Sequence, residues 1–203
     1  MKKLIIASNN AHKISEIKKI LEDIDVDVKS LKEENINIDV IEDGKTFKEN
    51  SYKKALGIRN YLSERGDKDF LVLADDSGLE VEFLGGEPGI FSARYAGEHG
   101  NDKKNNEKLL QNLKEVPMEK RSAKFVCEIA LIDSENNYYS IHGEVEGIIQ
   151  EKLEREESFG YDPLFYYPPL KKCFSQLSIE QKNNISHRGK ALIKLKSILK
   201  DII

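Results

Sequence analysis

Two adjacent acids, Asp75 and Asp76, follow directly on the apolar run from Phe70 to Ala74 and precede Ser77 and Gly78. A short, β-prone apolar run reads as a buried strand and Ser-Gly as a turn, so the sequence predicts that both carboxylates emerge where that strand ends. Carboxylate oxygens are hard ligands. A pair fixed at the carboxyl end of a strand suits a magnesium ion that also grips substrate phosphates. The competing reading of the same four residues is an Asp-rich turn bonded to its own backbone. Beyond it, Leu79, Val81 and Phe83 alternate with Glu80 and Glu82, the period of a half-buried strand, until Gly85, Gly86, Pro88 and Gly89 break the chain.

Four other stretches carry residue types that could do chemistry. Ser8, Asn9 and Asn10 lie between a buried strand, Leu4 to Ala7, and a helix beginning near His12. Free amides at a helix start, with Lys13 in the first turn, suit a phosphate; ordinary N-capping by Ser or Asn explains the same residues. An acidic turn, Ile41-Glu42-Asp43-Gly44, is followed by Thr46 as an N-cap and a helix from Phe47 to Leu62 that carries Asn50 and Lys54 one turn apart. Lys54 either snorkels from the packed face or aims its ammonium into a cleft beside Glu42. Ser158-Phe159-Gly160-Tyr161-Asp162-Pro163, followed by Tyr166-Tyr167-Pro168-Pro169, reads as a Gly/Pro-rich loop, whose aromatics could stack a nucleobase while Asp162 accepts hydrogen bonds from its edge, or could plug a core. Ser186-His187-Arg188-Gly189 opens the last helix, where Arg188 could fork onto a phosphate or a base carbonyl with His187 donating beside it.

The elements that must position these groups are set by hydrophobic period. Ile14, Ile17, Ile20, Leu21 and Ile24 recur with helical spacing; residues 26–41 read as strand or irregular chain; residues 102–114 form a polar helix packed by Leu109, Leu110 and Leu113. Residues 124–132 and 138–150 read as two long strands joined by the turn-forming stretch 133–137, and a short helix near 178–184 precedes the final one, packed by Leu192, Leu195, Ile198, Leu199 and Ile202. This order predicts an α/β fold with a mixed sheet. Neither GxxxxGK[ST] nor GxGxxG occurs, which counts against a P-loop or dinucleotide-binding fold. A chain of 203 residues, 39% hydrophobic and 33% charged, can bury a substantial core. Its net charge of −4, with lysines interleaved among acids, offers no basic field for nucleic acid, so an anionic ligand should be small and locally bound. Cys127 and Cys173 are too few for a disulfide framework and suggest a reducing cytoplasm. The apolar N-terminal stretch is too short for a signal peptide, and no run is long enough to cross a membrane.

Taken together, five segments resemble the inosine/xanthosine triphosphate pyrophosphatase family in order and spacing. They are Ser8-Asn9-Asn10 with Lys13; Glu42 to Phe47 with Asn50 and Lys54; Ala74 to Leu79 through Gly85 to Gly97; Phe159-Gly160-Tyr161-Asp162-Pro163; and Lys182 with Ser186-His187-Arg188-Gly189. The resemblance spans nearly the whole chain. It implies a single pyrophosphatase domain over residues 1–203, an elongated α/β fold with a long twisted mixed sheet and helices on both sides, two lobes around a nucleotide cleft, and a homodimer. It implies hydrolysis of ITP, dITP or XTP to the monophosphate and pyrophosphate, dependent on Mg²⁺ or Mn²⁺. Carried over position by position, Asp76 would be the general base and a metal ligand, with Glu42 and Asp75 supporting the metal. Ser8, Asn9, Asn10, Lys13 and Lys54 would hold the triphosphate, while Ser77, Phe159, Gly160, Tyr161, Asp162, Lys182, His187 and Arg188 would hold the base and remaining phosphate contacts. His12, Ser51 and Ser158 depart from the family's usual pattern. Two other functions fit the residues: a related pyrophosphatase for other modified nucleotides, and a nucleotide-binding protein without turnover.

Overall fold

The computed structural model describes residues 2–155 and 158–203. Strands β1 (Lys2–Ile6), β2 (Val26–Ser30), β3 (Phe70–Val81), β4 (Ser122–Asp133), β5 (Tyr138–Ile149), β6 (Phe165–Tyr167) and β7 (Lys172–Cys173) form one sheet in the order β2-β1-β3-β4-β5-β6-β7. Helices are α1 (Ala11–Ile20), α2 (Phe47–Arg65), α3 (Asp102–Asn112), α4 (Ile179–Ile185) and α5 (His187–Ile202). The sheet is mixed: β1 runs parallel to β2 and β3, whereas β6 is antiparallel to β5 and β7. The fold is therefore α/β, and the chain divides into two compact units.

The first unit comprises Met1–Asp76, Cys127–Gly143 and Arg188–Ile203. Side chains alternate across a strand, and the cores follow that rule. Leu4 and Ile6 of β1, Leu71 and Leu73 of β3, and Cys127, Ile129 and Leu131 of β4 pack with Ile17 of α1 and Leu192, Leu195 and Leu199 of α5. Their neighbours Ile5 and Ala7, Phe70, Val72 and Ala74, and Ala130 and Ile132 pack with Ala55, Ile58 and Leu62 of α2. Helices thus cover both faces of this part of the sheet. Helix α2 starts at Thr46, whose hydroxyl accepts from the Glu49 N–H at 3.1 Å, and ends at Gly66 with φ +89°, a conformation that glycine adopts without steric cost.

The second unit comprises Ser77–Val126 and Glu144–His187. Leu79 and Val81, Phe125, Val145 and Ile149 supply strand side chains to a core closed by Leu109 of α3, by Leu113 just after that helix, and by Phe165 and Phe174. The Phe125 and Phe165 rings lie 4.5 Å apart between centroids, and Phe165 meets Phe174 edge-on at 4.8 Å. Buried Arg121 donates to the carbonyls of Leu113, Val116 and Gln150, satisfying backbone that the end of α3 leaves open.

Several sequence expectations are corrected. The expected turn at Ser77-Gly78 is absent, since β3 runs unbroken through it for 12 residues. β1 pairs with β3 only over Phe70–Leu73, so beyond it the neighbour in the sheet is β4, and pairing with that strand outweighs the local turn preference of Ser-Gly. Phe83 is not a strand residue: it sits in a 3₁₀ turn, Glu82–Leu84, and is 52% exposed. Residues 26–41, read as strand or irregular chain, hold the strand Val26–Ser30 followed by irregular chain; α1, however, stops at Ile20 with buried Ile24 beyond it, and α2 runs three residues past Leu62. The stretch Tyr166-Tyr167-Pro168-Pro169, expected as loop, contributes the end of β6 and a 3₁₀ turn.

Candidate active site

Because β3 is continuous, the two acids leave it on opposite faces. Asp75 shares the parity of Leu71 and Leu73 and so faces α1 and α5; Asp76 shares that of Val72 and Ala74 and faces α2. Asp75 is buried and its Oδ2 receives Lys13 Nζ of α1 at 3.0 Å and Arg188 Nε of α5 at 3.2 Å. Arg188 is itself buried, and its other arm meets Glu16 of α1. Burial alone would raise the Asp75 carboxyl, but the charges of Lys13 and Arg188 more than offset it, so it stays well below the usual carboxylate range. Burial would likewise lower the Arg188 guanidinium, and Asp75 and Glu16 reverse that.

Asp76 has a different environment. Its Oδ2 accepts from Asn50 Nδ2 of α2 at 3.1 Å. Burial lifts its pKa to about 6, opposed by Lys13 and Asn50 and reinforced by the carboxylates of Glu42 and Asp75. A carboxylate poised near neutrality within a cluster of acids and lysines is suited to take a proton from water. Asn50 is oriented in turn, because its Oδ1 accepts the Gly44 N–H at 2.8 Å and so turns the amide nitrogen toward Asp76. A Cβ on Gly44 would lie 2.6 Å from that Oδ1, so the close approach needs glycine. Glu42, just before it, holds Lys54 of α2 at 2.6 Å.

In the loop after β1, Asn10 accepts from the Lys13 N–H at 3.1 Å and caps α1, and the buried Ser8 hydroxyl accepts from the Asn10 N–H at 3.2 Å. Asn9 is exposed. The structure thus brings Ser8, Asn9, Asn10, Lys13, Glu42, Lys54, Asp75, Asp76 and Arg188 into the first unit.

Ser77, Phe159, Gly160, Tyr161, Asp162, Lys182 and His187 fall in the second unit. Asp162 is buried and pairs with Lys182 Nζ at 2.6 Å, and the same ammonium lies 5.8 Å from the Phe159 ring centroid. Tyr161 packs in the core and donates its hydroxyl proton to the Ser92 carbonyl at 2.8 Å, so this aromatic takes the core-filling role. The His187 ring stacks on Phe125 with centroids 4.8 Å apart.

With that geometry in place, comparison with known proteins is decisive. The sequence model of the Ham1 family matches residues 4–198. This chain belongs to the Ham1 family. Among similar members is a protein of Clostridium perfringens named dITP/XTP pyrophosphatase, 57% identical over 203 residues and covering all of both chains. A Bacillus subtilis member with the same name is 42% identical over 199 residues, 98% of each chain. Among solved Ham1 structures, that of the Staphylococcus aureus protein superposes with a TM-score of 0.86 at 43% identity over the whole of both chains; that of Coxiella burnetii gives 0.86 at 36%, covering 99% of this chain and all of the other.

Sequence reading missed three kinds of site residue. Glu16 carries no local signal, because its pairing with Arg188 depends on tertiary contact across 172 residues. Asn50 was visible, but its two-sided amide was not. Asp102, Asn105 and Asn106 lie in a helix start too polar to suggest anything but solvent, although Asn105 and Asn106 are buried.

Proposed function

We propose that this Ham1 protein hydrolyses non-standard purine nucleoside triphosphates, ITP, dITP and XTP, to the monophosphate and pyrophosphate. The observation that carries the reading is Asp76, a carboxylate held by Asn50 among Glu42, Asp75 and Lys13 with its pKa lifted to about 6, in a chain whose relatives over its whole length are named dITP/XTP pyrophosphatases. In this scheme Asp76 takes the proton from the water that attacks the α-phosphorus, and pyrophosphate leaves. Ser8, Asn9, Asn10, Lys13 and Lys54 hold the triphosphate oxygens, a larger electrostatic task than the proton transfer. Asn50 keeps the Asp76 carboxylate in one orientation.

The donor set fits a magnesium or manganese ion. Among the described residues no three acidic, His or Cys side chains close a metal cage by themselves. Mg²⁺ is ordinarily held by one or two carboxylates together with substrate phosphates and water, so Asp76 and Glu42, with Asp75 behind them, suffice. When bound it would neutralise charge on the triphosphate. Base selection falls to Ser77, the Phe159–Asp162 loop, Lys182 and His187: donors placed for a 6-oxo group are left unpaired against the 6-amino group of adenine. The reading includes a homodimer, on the strength of the family resemblance, and a cytoplasmic setting, supported by two free buried cysteines. No helix among the described residues is long and apolar enough to cross a membrane.

Pyrophosphate release across ITP, dITP, XTP, ATP, GTP and a modified pyrimidine triphosphate tests the proposal. Preference for the first three by at least about 10-fold over ATP is expected. Equal turnover of all, preference for the pyrimidine, or binding without turnover would each replace it.

A further inference from the structure

The loop assigned to the base is built from outside itself. Gly160 has φ +58°, and its peptide groups are gripped at both ends by one helix: the Gly160 N–H donates to Asp102 Oδ2 at 2.7 Å, and the Gly160 carbonyl accepts from Asn106 Nδ2 at 2.8 Å. Asp102 and Asn106 stand one turn apart on α3, so they present a carboxylate and an amide along the same side. Asn105, between them, accepts the Ala96 N–H at 2.8 Å and so fixes the segment after Ser92. The Ser92 carbonyl in turn receives the Tyr161 hydroxyl, and the Ser175 N–H reaches the Asp162 carbonyl at 3.2 Å. All of these residues lie in the second unit.

We propose that Asp102 and Asn106 are positioning residues that set nucleobase selection by clamping the Gly160 peptide and, through it, the Phe159–Asp162 loop. The proposal rests on the nucleotide reading given above. Neither side chain is what stability alone would place there. Asn106 is buried, yet its Oδ1 has no partner among the described residues, a cost that an apolar residue of similar size would avoid. Asp102 is half-exposed, where its carboxylate could be solvated as readily as bonded. What both supply is a fixed location for one peptide. Hydrogen bonds that tell an oxo from an amino group weaken steeply with distance and angle, so a loop displaced by a fraction of an ångström loses discrimination before it loses the fold.

Three variants test this, Asp102→Ala, Asp102→Asn and Asn106→Leu, with kcat and KM for ITP and ATP, thermal melting, and inhibition by inorganic tripolyphosphate, a triphosphate without a base. In Asp102→Ala and Asn106→Leu the ratio of kcat/KM for ITP over ATP should fall by roughly 10-fold or more, chiefly through a higher KM for ITP, with tripolyphosphate inhibition unchanged. Asp102→Asn keeps an acceptor oxygen for the Gly160 N–H and should recover most of the ratio. Folded variants with an unchanged ratio, or with ITP, ATP and tripolyphosphate weakened in parallel, would overturn the clamp while leaving the pyrophosphatase reading intact. A parent protein without preference for ITP over ATP would instead overturn that reading, and the clamp's part in selection with it. Should Asp102→Ala fail to fold, Asn106→Leu, which removes the buried orphan acceptor, carries the same comparison.

Discussion

Asp75 and Asp76 are identical side chains one residue apart, and their surroundings drive them in opposite directions. Asp75 holds two cations in a buried site, so removing its charge leaves Lys13 without that partner and Arg188 with Glu16. Asp75→Asn should therefore destabilise the fold by about 3–5 kcal/mol, read from urea unfolding in EDTA. Asp76→Asn removes the proposed base and should lower kcat for ITP by about 10²-fold or more while the protein still melts cooperatively; a folded variant with parental turnover would remove Asp76 from the chemistry. The pH dependence of stability separates the two further. Asp76 keeps its proton to about pH 6 when folded, whereas an unfolded Asp loses it near about pH 4. Between those values the folded state binds more protons, so the metal-free protein should lose stability as pH rises from about 4 to 6 and remain at the lower level above. Asp76→Asn should flatten that part of the curve in thermal melts. Asp75, depressed below the usual range, acts in the other window: its stabilisation is complete above about pH 4 and is lost as pH falls below it.

At the scale of elements, α2 carries the alignment of Asp76 through one amide. Gly44→Ala would press a methyl group against Asn50 Oδ1 and the Glu49 Cβ, shifting the amide without touching any carboxylate. Turnover of ITP should fall by about 10-fold or more with a smaller change in KM, in steady-state kinetics of the folded variant. Thr46 as the start of α2 and the Asp133–Asn137 turn between β4 and β5 were legible in the sequence, since both are local: a hydroxyl capping an N–H three residues on, and the Asp133 carboxylate accepting from the Glu135 and Asn137 N–H groups. The unbroken β3 was not legible. Ser77-Gly78 has turn chemistry, and it is pairing in the sheet with β4, a segment distant in the chain, that overrides it. For the same reason the type of the two acids could be read while their opposite facing could not. The grip of Asp102 and Asn106 on Gly160 joins residues more than fifty positions apart and leaves no local mark.

For the whole molecule, the α/β class followed from hydrophobic period alone, because Leu4 to Ala7, Phe70 to Ala74 and the helical repeats of α2 and α5 each bury a complete face. The nucleotide reading needed the resemblance, since apart from it each motif had an ordinary structural explanation, and two of those are realised: Asn10 caps α1 and Tyr161 fills a core. The molecule as a whole should need a hard divalent cation for activity. EDTA should abolish pyrophosphate release from ITP, and Mg²⁺ or Mn²⁺ should restore it. Full activity in a metal-free buffer would sink the scheme. Sedimentation of the purified chain should give twice the mass of 23.2 kDa.

The alternation along β3 also separates two routes of sequence change. Replacing a side chain in this strand alters one contact and leaves the others in place. Deleting one residue between Leu73 and Asp75 slides an acid into the place facing Lys13 and Arg188 but sets Ser77 opposite Asn50, whereas adding one keeps an acid opposite Asn50 and takes the carboxylate away from Lys13 and Arg188; either way one of the two places loses its acid and every later side chain turns over. The count of residues is thus as much a part of the site as their identities: a change of length here takes a carboxylate out of its place without substituting any residue.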